Sequence, residues 1–203
     1  MLNPYAQGGW SNSRNSYSIN NDAWGNYPPP QPSLYGALPS STLPSQPTIL
    51  TFRFTSLNSV LNCKVIGSNN QTCFTISTLP QAQASTIFYN QQGKNVASVE
   101  WHTHPLVEVH GAVPKQYTSR WIGVAPSKKC RTMEVNCKLY AWVSNSAGMN
   151  LVTVGPCQPQ LIAQVTHEVN SIQLEITAQA VQDGLLESTV VAAAILYCGR
   201  SVK

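Results

Sequence analysis

The segment at residues 99–111, VEWHTHPLVEVHG, contains three histidines and two glutamates among its thirteen residues. Imidazole and carboxylate groups bind zinc and iron, so these side chains are candidates for a catalytic metal site. Alternate residues of a strand share a face, so Glu100, His102, Glu108 and His110 gather on one outer surface if the two halves pair. The candidate ligands are Glu100, His102, His104, Glu108 and His110.

The same segment also fits two ordinary amphipathic strands joined by a proline-containing turn. Val99 and Trp101 alternate with Glu100 and His102, as buried and solvated residues do in a half-buried strand. The outside of a sheet rarely provides the dry, concave pocket that metal catalysis requires. We therefore expect two polar strand faces here and no cofactor, and a metal-dependent enzyme is the alternative.

Other motifs that position a nucleophile or a phosphate do not occur in the sequence. It contains no Gly-x-Ser-x-Gly, no Gly-rich phosphate loop and no pair of cysteines with Cys-x-x-Cys spacing. Asp22 and Asp183 are its two aspartates, so a mechanism based on paired aspartates has little material. The sequence thus favours a protein that is not an enzyme.

A short basic group forms the best candidate for contact with an anion. Lysines and arginines near a membrane surface each contribute about 1 kcal/mol of attraction to anionic lipid. The alternative is a loop that is simply solvated. The net charge of +4 is too small for a dedicated nucleic-acid binder, so we predict no such partner. The basic residues are Lys128, Lys129, Arg131 and Lys138.

From residue 49 onward, short β-branched and aromatic runs recur about every ten residues. This spacing predicts antiparallel strands in a barrel or sandwich. Residues 91–95 and Asn136-Cys137 are predicted hairpin connections, and a short helix is predicted near Ser119 to Val124. The predicted strands are ILTFRFT, VLNCKVI, TCFTIST, STIFYN, VASVEWH, LVEVH, TMEVN, KLYAWVS, NLVTV, LIAQVTHEV and SIQLEIT.

The end of the chain differs from this strand pattern. TAQAVQDGLLESTVVAAAILYCGR is rich in alanine and predicts a helix, with Gly199 as its C-cap and Arg200 beside the negative end of its dipole. A helix that is apolar on every side must be surrounded by protein. We therefore expect the strands to wrap around a buried C-terminal helix.

Residues 1–48 hold 8 of the 14 prolines and few aliphatic residues, which predicts a disordered tail preceding a domain at residues 49–203. Within the tail, Asn26–Pro39 favours extended polyproline conformations and resembles ligands of proline-recognising adaptor domains. The first residues lack a basic and apolar signal sequence, so we expect a cytoplasmic or nuclear protein with six reduced cysteines. The apolar run at residues 190–198 is about half the length of a membrane span.

Five short motifs occur in an order that resembles one known group of proteins. The motifs are Glu100-Trp101, His104-Pro105, Arg131-Thr132-Met133, Gly184-Leu185-Leu186-Glu187 and Gly199-Arg200. Together they resemble a family of unknown function that is abundant in basidiomycete fungi. The resemblance covers residues 49–203 and leaves the tail outside.

This resemblance implies a fungal origin and a fold similar to the tubby-like and LURP-one-related proteins. It thus implies a closed antiparallel β-barrel of about twelve strands around a buried C-terminal helix. Some tubby-like domains bind phosphoinositides, so the resemblance also implies possible contact with anionic membrane lipid. We predict a non-enzymatic binding or scaffold domain, and an adaptor that acts through the proline-rich tail is a further alternative.

Overall fold

The computed structural model describes residues 48–55, 59–79, 84–126, 129–168 and 171–200. The predicted tail and its proline-rich segment, Asn26–Pro39, lie outside the described residues and stay predictions. Lys128 also lies outside them. The structural statements that follow concern the described residues.

Thirteen strands and three helices follow one another along the described chain. The strands are β1 (Ile49–Thr55), β2 (Cys63–Gly67), β3 (Thr72–Leu79), β4 (Ser85–Asn90), β5 (Asn95–Glu100), β6 (Leu106–Val109), β7 (Val113–Tyr117), β8 (Ile122–Val124), β9 (Cys130–Val135), β10 (Lys138–Ser144), β11 (Gly148–Thr153), β12 (Leu161–Glu168) and β13 (Ser171–Thr177). The helices are α1 (Thr118–Trp121), α2 (Ala178–Gln182) and α3 (Leu186–Tyr197).

All thirteen strands form one antiparallel sheet. Its order is β7-β6-β5-β4-β3-β2-β1-β13-β12-β11-β10-β9-β8. Strands that follow one another in sequence are therefore paired, except β7 and β8, and β1 joins the two halves by pairing with β13. Buried and half-buried residues alternate along the strands and thereby define the two faces of the sheet. In β13, Ile172, Leu174 and Ile176 are buried, whereas the residues between them are half-buried. The period-2 pattern in the sequence therefore locates the inner face of the sheet correctly.

The predicted connections are also present. Asn136 and Cys137 both have positive φ, 50° and 60°, which is the geometry of a two-residue type I′ hairpin. Between β4 and β5, the side-chain oxygen of Asn90 accepts hydrogen bonds from the backbone N–H groups of Gln92 and Lys94. These turns fix the registers of the hairpins that they connect.

Helix α3 is buried against the inner face of the sheet. Every residue from Ser188 to Ile195 is buried, and α3 contacts β5, β6 and β13. Since β6 and β13 are far apart in the strand order, the sheet must curve around the helix. The prediction of a buried C-terminal helix is confirmed. Gly184, at φ 76°, interrupts the predicted helix and separates α2 from α3.

The prediction of a closed barrel of about twelve strands is wrong. The edge strands of the thirteen-stranded sheet, β7 and β8, do not pair with each other within the described residues. The reason is local, because α1 lies between them in sequence and contacts both. A helix of four residues cannot continue a strand ladder, and Pro114 in β7 has no N–H to donate to one. We call the gap between β7 and the β8–β9 edge the seam.

Candidate functional site

The polar residues of the opening segment lie on β5, on β6 and in the loop between them. Ala97, Val99, Val107 and Val109 are buried on the inner face, as predicted. Ser98 pairs with Glu108, and Glu100 pairs with Leu106, so the two glutamates share the outer face but are two residues apart along it. The sequence therefore predicted the face correctly.

Of the five candidate metal ligands, Glu100 and His102 contact each other, whereas His104 and His110 contact other residues. Glu100 lies 2.6 Å from the Lys115 ammonium and 3.5 Å from His102 Nε2. His104 contacts the edge of the Tyr117 ring, and His110 Nδ1 lies 3.0 Å from the Asn95 carbonyl oxygen at the other end of β5. Within the described part of the chain, no three His, Cys, Asp or Glu side chains form a group that could hold a metal ion. The metal site stays the alternative to two polar strand faces.

Glu100 is already neutralised by a cation. The hydrogen bond from Lys115, with its positive charge and a smaller effect of His102, lowers the pKa of the Glu100 carboxyl. The lowered pKa keeps this carboxylate charged and paired at neutral pH. A general acid requires the opposite shift, so Glu100 is suited to an ion pair on the surface rather than to proton transfer.

Trp101 is a residue whose role the sequence did not reveal. Its indole N–H donates to Thr86 Oγ1 at 2.8 Å, and Thr86 and Thr78 share a hydrogen bond of the same length. The Thr78 hydroxyl donates to the Leu61 carbonyl oxygen, also at 2.8 Å. The Arg200 guanidinium lies 4.7 Å from the centre of the Trp101 ring. Two of the motifs that carried the family resemblance therefore meet at the end of α3.

Among the described basic residues that were predicted to bind lipid, Lys138 lies apart from Arg131. Lys129 is exposed before β9, and Arg131 is half-buried with Nη1 3.4 Å from the Ile122 carbonyl oxygen. Lys138 pairs with Val135, whereas Arg131 pairs with Trp142. Lys138 and Arg131 thus lie at opposite ends of the β9–β10 hairpin. Lys138 is exposed and lines a cavity.

That cavity, which we call the α2 cavity, has a volume of about 620 Å³. It lies where β10 and β12 begin, where β11 and β13 end, and beside α2. Leu161, Ile162, Ala180 and Leu185 supply its apolar wall. Its polar lining residues are Lys138, Tyr140, Thr153, Gln160, Thr177, Gln179 and Asp183.

The ionisable side chains of the α2 cavity are suited to binding. Burial raises the pKa of the Tyr140 hydroxyl, and the negative charge of Asp183 raises it further. Tyr140 therefore remains a neutral phenol that can donate a hydrogen bond. The Asp183 carboxylate accepts a hydrogen bond of 3.0 Å from Gln179 Nε2. Among the described residues, Lys138 has no carboxylate partner within 4.0 Å.

A second cavity, of about 520 Å³, lies in the seam, and we call it the seam cavity. Pro114 and Gln116 of β7 line one side, and Glu134 of β9 lines the other. Arg120 and Trp121 of α1 complete its wall with Ala112, Asn136 and Cys137. The sequence prediction missed both β7 and β8 and therefore could not indicate this cavity.

Comparisons with known proteins identify a family without assigning an activity. A crystal structure of an Arabidopsis thaliana protein is similar over 74% of this chain and 93% of its own, at 10% identity and a TM-score of 0.41. Among curated proteins, none matches the sequence. In the described part of the chain, every helix is too short or too polar to cross a membrane. The model of a family of unknown function, DUF6593, matches residues 58–196, and the chain belongs to that family.

Proposed function

We propose that this protein is a non-enzymatic binding domain that holds a small anionic amphipathic molecule, such as an anionic lipid, in the α2 cavity. The observation that carries the proposal is the composition of this cavity. Its volume of about 620 Å³ falls in the range of roughly 300–1,000 Å³ that is typical of small-molecule sites. It combines an apolar wall with polar residues that include a single lysine.

The apolar wall and Lys138 predict how the ligand is oriented. A hydrocarbon part gains free energy by covering Leu161 and Ile162, because their apolar surface is then removed from water. Leu161 is 51% exposed and offers the most surface to cover. The anionic group lies at the Lys138 ammonium, away from the Asp183 carboxylate. The neutral hydroxyl of Tyr140 donates a hydrogen bond to the same group.

The chemistry of the buried thiols and of the Tyr140 hydroxyl supports binding over catalysis at these residues. Burial raises the pKa of the Cys63 thiol to about 12 and also raises that of Cys198. These thiols and the Tyr140 phenol are therefore protonated at neutral pH, when they are poor nucleophiles. A metal-dependent enzyme at residues 100–110 and an adaptor acting through Asn26–Pro39 are the alternatives.

The test is binding of the fluorescent anion 1-anilinonaphthalene-8-sulfonate, with oleate as the competitor. Leu161→Trp fills part of the cavity, and Lys138→Gln removes the positive charge, so each should weaken binding about tenfold. Asp183→Asn should strengthen binding, because it removes a repulsive charge. Val143→Trp and Lys64→Gln are matched controls, since both residues are exposed and lie outside the cavity lining. Equal affinities for all five variants would contradict the proposal.

Membrane contact can be separated from binding of a single molecule. Flotation with phosphatidylserine vesicles measures contact with a surface, and it should weaken with salt if lysines drive it. Binding of oleate without flotation would assign a soluble amphiphile as the ligand. Measuring zinc and iron in the same preparation tests the metal alternative. The fungal origin and the relation to tubby-like proteins stay proposals that rest on the resemblance, and the cytoplasmic or nuclear compartment stays a proposal that rests on the first residues of the sequence.

A further inference from the structure

Two oppositely charged side chains line the α2 cavity without pairing with each other. Lys138 is the first residue of β10, Asp183 follows α2, and both side chains are exposed. Among the described residues, neither charge lies within 4.0 Å of an oppositely charged group. The hydrogen bond that the Asp183 carboxylate accepts comes from Gln179, whose amide is neutral. Both charges can therefore attract charged groups of a ligand.

The Tyr140 phenol lies close to both charges. Lys138 and Tyr140 are alternate residues of β10, so their side chains share a face and their Cα atoms are about 7 Å apart. Burial raises the pKa of the Tyr140 hydroxyl, and the negative charge of Asp183 raises it further. The field of this carboxylate thus extends to the phenol. A positive and a negative group consequently lie within the reach of one small ligand.

This pair of charges favours a particular head group in the ligand. A simple anion is attracted by Lys138 but repelled by Asp183, and a simple cation is repelled by Lys138. Lys138 and Asp183 are the two charged residues of the lining, so their charges sum to zero. A head group that carries both charges is attracted by both residues. Electrostatic complementarity of this kind gives a site its specificity.

We propose that the α2 cavity binds a zwitterionic amphiphile, whose acidic group contacts Lys138 and whose primary ammonium contacts Asp183. This inference rests on the proposed function and names the class of its ligand. Gln179 donates to Oδ1 of Asp183, which leaves Oδ2 to accept from the ammonium. The acidic group accepts from the Lys138 ammonium and the Tyr140 hydroxyl. The hydrocarbon part covers the apolar wall, as before.

Three probes with the same eight-carbon chain separate the effects of the two charges. Octanoate is an anion, octylamine is a cation, and 2-aminooctanoate carries both charges at pH 7. The affinity of the full chain for each probe is measured by calorimetry. We expect 2-aminooctanoate to bind about fivefold more tightly than octanoate, which is the contribution of one exposed ion pair at its upper limit. Octylamine should also bind more weakly than 2-aminooctanoate.

Substitutions of the two charged residues should change these affinities in different directions. Asp183→Asn keeps the shape of the side chain and removes its charge, so it should strengthen binding of octanoate and weaken binding of 2-aminooctanoate. Lys138→Gln should weaken binding of both. Glu134→Gln is the matched control, because Glu134 is an exposed acid outside the lining of this cavity. The control should keep the wild-type preference for 2-aminooctanoate.

Two outcomes would overturn the zwitterion and leave the proposed function intact. They are equal wild-type affinities for octanoate and 2-aminooctanoate, and a preference for 2-aminooctanoate that persists in Asp183→Asn, each with octanoate binding that still depends on Lys138. Failure of the wild-type chain to bind any of the three probes or 1-anilinonaphthalene-8-sulfonate would refute the proposed function and this inference together. Opposite effects of Asp183→Asn on octanoate and 2-aminooctanoate would support the zwitterion.

Discussion

Removing the Thr86 hydroxyl should destabilise the domain, because this buried group joins three segments of the fold. Thr86 is fully buried on β4, with Oγ1 2.8 Å from both Trp101 Nε1 and Thr78 Oγ1. The hydrogen bonds run from the indole through both hydroxyls to the Leu61 carbonyl oxygen, and every donor has an acceptor. This series of hydrogen bonds thereby connects the end of β5 to the segment that precedes β2. A fully satisfied network of this kind favours one arrangement of the strands.

Thr86→Val keeps the shape of the side chain and removes the hydroxyl. Two hydrogen bonds are lost at about 1 kcal/mol each. The Trp101 indole N–H is then left without an acceptor, which lowers the stability further. We expect the free energy of unfolding to fall by about 2–3 kcal/mol. Trp101→Phe removes the donor, so the double variant should lose about 1 kcal/mol less than the sum of the two single variants. That difference measures the hydrogen bond between the two side chains.

The measurement is urea unfolding followed by far-ultraviolet circular dichroism, which does not depend on the tryptophan that is changed. Thr75→Val is the matched control, because Thr75 lies on the half-buried face of the adjacent strand β3. The control should change the free energy of unfolding by less than about 0.5 kcal/mol, as is usual for surface substitutions. A Thr86→Val variant as stable as this control, or a coupling of zero, would refute the argument that the network stabilises the fold.

Three further substitutions or reactions test the packing. Ala193→Asp places a carboxylate at a fully buried position of α3 and should abolish cooperative thermal unfolding, whereas wild-type melting would exclude the buried helix. Gly148→Ala should lower the melting temperature by about 5 °C in calorimetry, since its Cβ would overlap the Val165 carbonyl oxygen; an unchanged value would mean that β11 and β12 separate easily. Iodoacetamide at pH 8 should alkylate exposed Cys137 and spare buried Cys63, whose pKa is about 12; mass spectrometry of the two peptides decides.

The sequence predicts strands well where alternation extends over five residues or more. Strand β13 matches the predicted run SIQLEIT at both ends. Strands β7 and β8 were missed, because β7 buries Val113 alone among its five residues and β8 contains three residues. These are the two edges of the sheet. The error in closing the barrel and the missed strands thus have the same cause, a segment too short and too polar to show a period.

For the site residues too, the sequence predicted features that depend on sequence neighbours and missed contacts between residues far apart in the sequence. Alternation placed Glu100 and Glu108 on the outer face, because facing depends on near neighbours in sequence. Contact between Trp101 and Arg200 depends on the path of α3 through the curved sheet, which no local pattern contains. Lys138 was grouped with Arg131 because the two are close in sequence, although the hairpin register places them at opposite ends.

The packing of α3 decides where this fold can bind a ligand. Val190 to Ile195 are each at most 1% exposed, so a ligand inside the curve of the sheet would have to displace the helix. The α2 cavity lies beside the first residue of α3, where the helix no longer covers the sheet. Leu185 lines this cavity, and α3 begins at Leu186. The seam cavity lies where the sheet itself ends. The β9–β10 turn borders both, because Lys138 lines the first while Asn136 and Cys137 line the second. A two-residue turn with both φ values positive fixes the start of β10, so an insertion after Asn136 should displace Lys138 and weaken binding of 1-anilinonaphthalene-8-sulfonate in the α2 cavity.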